Sequence, residues 1–272
     1  MKYYKLDRDT KAYLKRMAVD GIKTPPDIYS VNNFIVGLKD LNLQDFTEAY
    51  FYSNLQNAGS GTVYSFRNNL NNGTIAGTHN RRTDGIELID TNGGGSGVIN
   101  TNFLMPFAPC TFICIFRSPT QVGVTAPTVF YTAGVNFNGN QFAIGSSSLG
   151  DSRLIFAANG KNWPNGISSG FTAGGASGGD KNLRFNVGSF VMPDKRGPLI
   201  YALNNAFYTG SSYVTADDGF NTTRQFYRIK GYNFSTVILH SALFFDRNLS
   251  NLEVRNIYNL IKVTSGKMLN IP

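Results

Sequence analysis

The stretch that decides the fold is "DRNLSNLEVRNIYNLI", residues 246–261, together with the run "STVILHSALFF" (235–245) that leads into it. Ser250 and Glu253 stand in the Ser-x-x-Glu spacing of a capping box. In that motif the serine side chain accepts from the backbone N–H three residues on, and the glutamate reaches back to the serine N–H. Leu249 and Val254 are placed as a hydrophobic staple across the same helix start, and Val254, Ile257, Tyr258 and Ile261 make its apolar side. The eleven residues before the cap are rich in β-branched and aromatic side chains and read as a strand. A strand therefore runs directly into a short helix that closes the chain against a sheet.

Working back from that point, residues 60–245 read as short strands separated by turn clusters. Strand candidates are "TVYSFRNNL" (62–70), "GIELID" (85–90), "CTFICIFRS" (110–118), "TVFYTAGV" (128–135), "QFAIGS" (141–146) and "RLIFAANG" (153–160). "LRFNVGSFV" (183–191), "LIYALNNAFY" (199–208) and "QFYRIKGY" (225–232) follow. No strand–helix alternation is present, which excludes a parallel α/β fold, and no fixed-period repeat suggests a propeller or solenoid. Strands 110–116 and 237–245 are apolar at both parities, as central strands covered on two sides are. The spacing predicts a mainly β, antiparallel sandwich.

Residues 7–50 differ. Leu14, Met17 and Ala18 form one helical stripe. Thr24 and Pro25 offer an N-cap and a first helical position, and Ile28, Val31, Ile35, Leu38 and Leu41 continue at three- and four-residue steps. Gly21 separates the two helices, and "QDFTEAYF" (44–51) is a third short element. A hairpin of this size cannot bury its stripe alone and must dock on the main domain or on a neighbouring chain. The expected division is a helical attachment segment over 1–55 and a sandwich over 56–272.

Composition fits a β domain: 42% of the 272 residues are hydrophobic, Phe and Tyr number 21 and 14, and 29 glycines supply turns. Charged residues are only 15%, against roughly 25% in ordinary soluble proteins, so Asn, Ser, Thr and Gln must build the surface. The net charge of +8 is spread along the chain in nothing denser than pairs such as Arg81-Arg82 and Lys195-Arg196. That scatter suits solubility or a generally anionic partner, and no specific nucleic-acid binding is expected. The start, "MKYYKLDRDTKAYLKRM", has no apolar leader core, and no run approaches the ~18 apolar residues of a membrane span. Synthesis in the cytoplasm and no membrane insertion are the expectations. Cys110 and Cys114 stand about 13 Å apart on an extended strand, too far for a disulfide, and read as small buried hydrophobes.

The closing pattern resembles laminin-G-like domains of the concanavalin A-like lectin/glucanase superfamily, in which a last strand precedes an Asp/Asn-x-x-Leu-Ser-x-x-Glu-x-x-x-x-Tyr helix. Asp246, Leu249, Ser250, Glu253 and Tyr258 carry the likeness. The front end, through "VNNFIVGLKDL" (31–41), is similar to bacteriophage virion proteins in which a helical pair precedes such a sandwich. These resemblances imply a jelly-roll sandwich with an N-terminal helical hairpin and a short C-terminal helix. They imply a non-enzymatic virion component of the head surface or of the tail and fibre apparatus. It would be multicopy or homo-oligomeric, attached to other virion proteins through its N-terminal helices, and a contributor to adhesion at a host-surface glycan. A lectin-like carbohydrate-binding module is the alternative, and a glycan-degrading enzyme the third reading.

Glycan-cleaving members of that superfamily carry a carboxylate pair on one strand, about 5 Å apart in retaining enzymes. This chain has three glutamates, Glu48, Glu87 and Glu253. Glu48 falls in the helical segment and Glu253 in the cap. Asp84 and Asp90 lie three positions from Glu87, an odd offset that puts each on the opposite strand face. No catalytic pair is expected, and neither His79, in a polar loop, nor His240, in an apolar strand, suits a general base. The glycine-rich stretches 93–97 and 174–179 lack a Walker pattern and read as loops. The oxygen-rich "TADDGF", with Asp217 and Asp218, lacks EF-hand spacing, so neither metal nor cofactor is expected. For ligand contact the candidates are Trp163 and Asn165 in "NWPNG", where an aromatic beside amides could stack on a sugar ring.

Overall fold

The computed structural model describes residues 5–22, 24–25, 27–52, 61–89, 97–105, 109–121, 128–132, 141–146, 153–159, 169–172, 185–192, 200–209, 226–230 and 235–271. Two helices open the chain, α1 (Arg8–Val19) and α2 (Ile28–Asp40). Sixteen strands follow among the described residues: β1 (Glu48–Phe51), β2 (Thr62–Val63), β3 (Gly73–Ala76), β4 (His79–Arg82), β5 (Gly85–Ile89) and β6 (Val98–Leu104). Next come β7 (Cys110–Gln121), β8 (Thr128–Thr132), β9 (Gln141–Ser146), β10 (Arg153–Asn159), β11 (Ser169–Thr172) and β12 (Asn186–Met192). The last are β13 (Ile200–Leu203), β14 (Ala206–Thr209), β15 (Phe226–Lys230) and β16 (Ser235–Phe245), after which α3 (Asn251–Ile261) runs into a π-helical turn, Lys262–Gly266, and a last helical turn, Lys267–Leu269.

All pairings are antiparallel, and they build two eight-stranded sheets. The first has the order β14-β13-β12-β7-β16-β5-β4, with β1 also paired to β16; the second has the order β11-β10-β9-β8-β15-β6-β3-β2. Eleven-residue β16 is long enough to take β5 along residues 236–239 and β1 along 241–244 on the same edge, with β7 on its other edge.

The apolar runs at both parities explain how the layers stack. On β7, Phe112 points to the second sheet, its ring 6.1 Å from Tyr227 of β15 and 4.8 Å from Phe244 of β16. Phe103 of β6 meets Phe244 at 5.0 Å, and the buried hydroxyls of Tyr52 and Tyr227 share a 2.7 Å hydrogen bond. Opposite parity sends Ile113 and Ile115 to the other face, where they line a cavity with Phe34 of α2 and Ile261 of α3. The molecule is thus a sandwich with a helical third layer over one face of the first sheet, and the buried hydrophobic side chains form one continuous core through all three. Cys110 and Cys114 are free, buried thiols on the inward parity of β7, both held above the ordinary thiol range by burial, Cys110 at about 12.

Several local readings change. The third element of the N-terminal segment is a strand: β1 is buried at every position and pairs Glu48–Phe51 with Phe244–Ser241. α2 begins at Ile28, after Asp27, and not at Thr24-Pro25. The second of the two adjacent prolines disfavours helical backbone at the first, so the helix waits until the pair is passed. In α1 the inward face carries Thr10, Tyr13 and Met17, while Leu14 is half-buried and Ala18 exposed, because Tyr13 docks 5.2 Å from Phe66. The long run read over 199–208 gives way to a hairpin, β13 (Ile200–Leu203) and β14 (Ala206–Thr209), turned at Asn204 with φ 55. Asparagine tolerates that left-handed backbone, and here its side chain also accepts from Val187 N at 3.0 Å. The stripe of Ile28, Val31, Ile35 and Leu38 is 0–2% exposed and is covered by the chain itself, so it offers no attachment face. Leu41, read as part of it, is exposed.

Candidate functional site

Among the described residues, the helical layer covers only part of the outer face of the first sheet. Where the cover stops, strand register lines up a transverse row. Arg117 of β7 is opposite Ile238 of β16, Ile238 is opposite Glu87 of β5, and Glu87 is opposite Asn80 of β4. Residues directly opposite one another share a face, so three polar side chains and one buried isoleucine cross four strands in a line. Asn80 is exposed and its Nδ2 donates to Glu87 Oε2 at 2.7 Å.

The β4–β5 turn adds two more groups. Arg82 pairs with Gly85, leaving Thr83-Asp84 as a two-residue hairpin loop. Gly85 has φ +151, and a Cβ there would lie 2.1 Å from the Leu239 carbonyl oxygen, so the turn admits only glycine. Through this turn Asp84 joins the row. Its Oδ1 accepts from Arg82 Nε at 2.8 Å, and its Oδ2 lies 3.5 Å from both Arg82 Nη2 and Arg117 Nη2. The same Arg82 reaches Glu87, Nη1 to Oε1 3.9 Å. The hydrogen bond to Asp84 is the largest influence on Arg82 and holds its guanidinium above the ordinary value.

This corrects the strand-parity argument for Asp84 and Glu87. The odd offset holds inside a strand, but Asp84 belongs to the turn, and both carboxylates come to one guanidinium. Their chemistry is charge pairing: Arg82 stands between them, and Arg117 backs Asp84 as well.

On the helix side the row is bounded by aromatic rings. The Arg117 guanidinium lies 5.4 Å from the Phe185 ring centroid, and Phe185 meets His240 edge-on at 6.2 Å. His240 sits at a bulge where the β16–β7 register shifts between Leu239 and Ser241, which turns it under the helical layer. It is 3% exposed, its Nδ1 is 3.3 Å from Ser241 Oγ, and its Nε2 is buried without a hydrogen-bond partner. Burial pushes its pKa down to about 4, with Asp84 pulling weakly the other way. A neutral, enclosed imidazole is not placed as a base. His79 lies on β4 opposite Leu88, its Nδ1 2.8 Å from the Gly77 carbonyl oxygen.

The remaining glutamates hold structure. Glu48 is fully buried on β1; Oε1 accepts from the backbone of Ala49 and Arg67, each at 2.9 Å, and Oε2 accepts from Asn71 at 2.7 Å. Glu253 completes the capping box: Ser250 N donates to its Oε2 at 2.7 Å, and Glu253 N donates to Ser250 Oγ at 3.2 Å. Arg247 then links that cap to Asp45, with ion pairs of 2.9 and 2.6 Å. Trp163 and Asn165, like Asp217 and Asp218, lie outside the described residues. Among the described residues no three His, Cys, Asp or Glu side chains gather as a metal site.

In the sequence, the spacing of Glu87 and Asp84 raises only the question of a catalytic pair, Arg82 stands out only as one of a basic pair, and nothing marks Asn80 or Arg117. The available signal was "RTDG", an Asp-Gly turn between two short runs, which marks a hairpin and so brings polar 79–82 beside 85–89.

No family model matches this sequence, and no curated protein matches it. Solved structures do resemble the fold. A binding domain of botulinum neurotoxin DC in complex with SialylT superposes with a TM-score of 0.55 at 11% identity, over 79% of this chain and 51% of that one. The same domain in complex with rat synaptotagmin II gives 0.54, also at 11%, over 79% and 51%. A botulinum neurotoxin type C structure, whose description makes cell entry dependent on interaction with two ganglioside molecules, gives 0.57 at 12%, over 81% and 52%. This chain therefore spans about half the length of those chains, and at such identity the likeness establishes a shared architecture: an antiparallel β-sandwich of the kind built into these receptor-binding domains.

Proposed function

We propose that this chain is a non-enzymatic binding module for a surface glycan, with the Asn80–Glu87–Arg117 row and its Arg82–Asp84 clamp as the contact face. The observation that carries the reading is that row. Planar amide, carboxylate and guanidinium groups stand on one face of a rigid sheet, each oriented by a neighbour, beside an aromatic margin. Such groups recognise sugar hydroxyls by paired hydrogen bonds, and a sheet holds them more firmly than a loop does. The sandwich shared with neurotoxin binding domains, one described with gangliosides, supports a glycan as the broad class of ligand, without fixing its charge. Fold likeness transfers no residues, so the ligand must be argued from the site.

The setting of the module is read from the N-terminal resemblance to bacteriophage virion proteins, which supports a multicopy adhesive part of a particle, on the head or on the tail and fibre apparatus. The inner stripes of α1 and α2 are spent on the core, so contact with other virion proteins through these helices would use their outer faces, where Val19, Tyr29 and Val36 are exposed. Immunogold labelling of purified particles tests that setting, and absence of the chain from particles removes it.

A glycan array run with the wild type, Asn80→Ala and Trp163→Ala tests the binding reading. Signal lost with Asn80→Ala supports the row. Signal lost only with Trp163→Ala moves the site to the 160s segment. A blank array for all three proteins defeats the proposal.

A further inference from the structure

The spacing between Arg82 and Glu87 carries information about the ligand. At 3.9 Å, Nη1 and Oε1 attract each other but are too far apart for a hydrogen bond. Such a gap between a donor and an acceptor fits one bridging atom that both accepts and donates. Asn80 bonds the other oxygen of the same carboxylate through Nδ2 and still has an amide oxygen and an N–H to offer. Asp84, in contrast, is fully engaged by Arg82 and Arg117. Among the described residues, the groups of this cluster left without a full set of hydrogen bonds are therefore Arg82 Nη1, Glu87 Oε1 and the Asn80 amide, with Asn80 exposed and the Arg82 and Glu87 side chains 38% and 16% exposed.

We infer that this site takes a neutral sugar through a vicinal diol and rejects charged sugars. The inference rests on the reading of the row as a glycan contact face. One hydroxyl enters the gap, accepting from Arg82 Nη1 and donating to Glu87 Oε1, and its neighbour bonds the Asn80 amide. A carboxylate in that position has no proton for Glu87 and is repelled by it. An ammonium has no acceptor for Arg82 and is repelled in turn. Two arginines face two carboxylates here, Arg82 and Arg117 against Asp84 and Glu87, so the site is formally neutral although the whole chain carries +8. Global charge would draw an anionic glycan near the surface, while the described residues of this locus pair each guanidinium with a carboxylate.

The test is calorimetric titration of the full chain with neutral methyl hexosides and lactose, with sialyllactose, and with a chitosan oligosaccharide. Each titration is run at about 0.05 and about 0.5 M salt, where screening separates charge attraction from hydroxyl recognition. Expected is binding of a neutral sugar that changes by less than about twofold with salt. Binding should weaken about tenfold or more in Glu87→Ala and in Asn80→Ala, the loss of a good hydrogen bond. Asn80 is exposed, so its variant remains informative should Glu87→Ala fold poorly, and thermal melts identify that case. Preference for sialyllactose or chitosan, falling with salt and lost in Asn80→Ala, overturns the neutral-diol inference while leaving the glycan reading intact. Sugar binding untouched by both substitutions overturns the assignment to this site. Absence of binding to every probe overturns the glycan reading itself.

Discussion

The outer face of the first sheet has two ends built on the same central strands, and they differ in every respect that bears on function. At one end Ile113, Ile115 and Leu243 meet Phe34, Phe51 and Ile261, and the helical layer shuts out water. At the other, a few residues along the same strands, Asn80 is exposed and Arg117 and Glu87 are half-buried. Between them lies His240, polar but enclosed, at the bulge where the register of β16 slips. Strand parity alone makes these positions equivalent. What separates them is the cover, since a face closed by helices must be apolar and a face left open is free to carry charge. The uncovered end holds its charges on a platform stiffened by the covered end.

The comparison breaks most visibly at the covered end. Leu38 of α2 is fully buried in the shared core, and its truncation leaves a cavity that a helix packed on a sheet cannot easily collapse. Leu38→Ala should lower unfolding stability by about 2–5 kcal/mol in urea titrations. A loss below about 1 kcal/mol would mean that the helical layer is a loosely held appendage, and the rigid-platform argument would fail.

His240 tests the boundary by pH. Its folded pKa is depressed to about 4 by burial, against an ordinary value of 6.5. Between those values the unfolded chain binds a proton that the folded chain refuses. The stability held above the upper value is therefore lost as pH falls towards the lower one. The full loss is on the order of 3 kcal/mol, and close to 2 kcal/mol is reached by about pH 5. Carboxylates add their own slopes, so the informative quantity is the difference between wild type and His240→Gln. The variant should lose less stability than wild type between about pH 7 and pH 5. Parallel curves would show that the histidine is hydrated and not enclosed.

How much of this was legible in the sequence follows from the range over which each signal acts. The closing strand and helix were readable because cap, staple and apolar face lie within a dozen residues, and Ser250 and Glu253 make the two bonds their spacing implied. The central strands were readable because β7 and β16 are apolar at both parities. β1 was not, since "EAYF" is buried throughout and short, so it shows no alternation to distinguish it from the helical text before it. β4 was missed for the opposite reason, because "HNRR" is polar at every position. The candidate site needed still more. It exists only once four strands are set in register and Gly85 has turned Asp84 onto the Glu87 face, and neither fact is local to any residue in it.

The smallest expected effect lies at the open end and sharpens the contrast most. The Arg82 side chain is 38% exposed, and its ion pairs with Asp84 and Glu87 compete with water and salt. Arg82→Ala should therefore cost about 1 kcal/mol or less in unfolding stability, several-fold less than Leu38→Ala, while removing one of the two groups that flank the proposed hydroxyl slot. Urea titration and glycan titration of the same preparation check both halves of that statement. If the substitution destabilised the fold as strongly as a core truncation, the arginine would be a structural clamp that holds the β4–β5 turn through Asp84 and Glu87. The polar row would then need no ligand to account for it. A stable protein that no longer binds separates the two ends of the sheet cleanly, one holding the fold and the other meeting the partner.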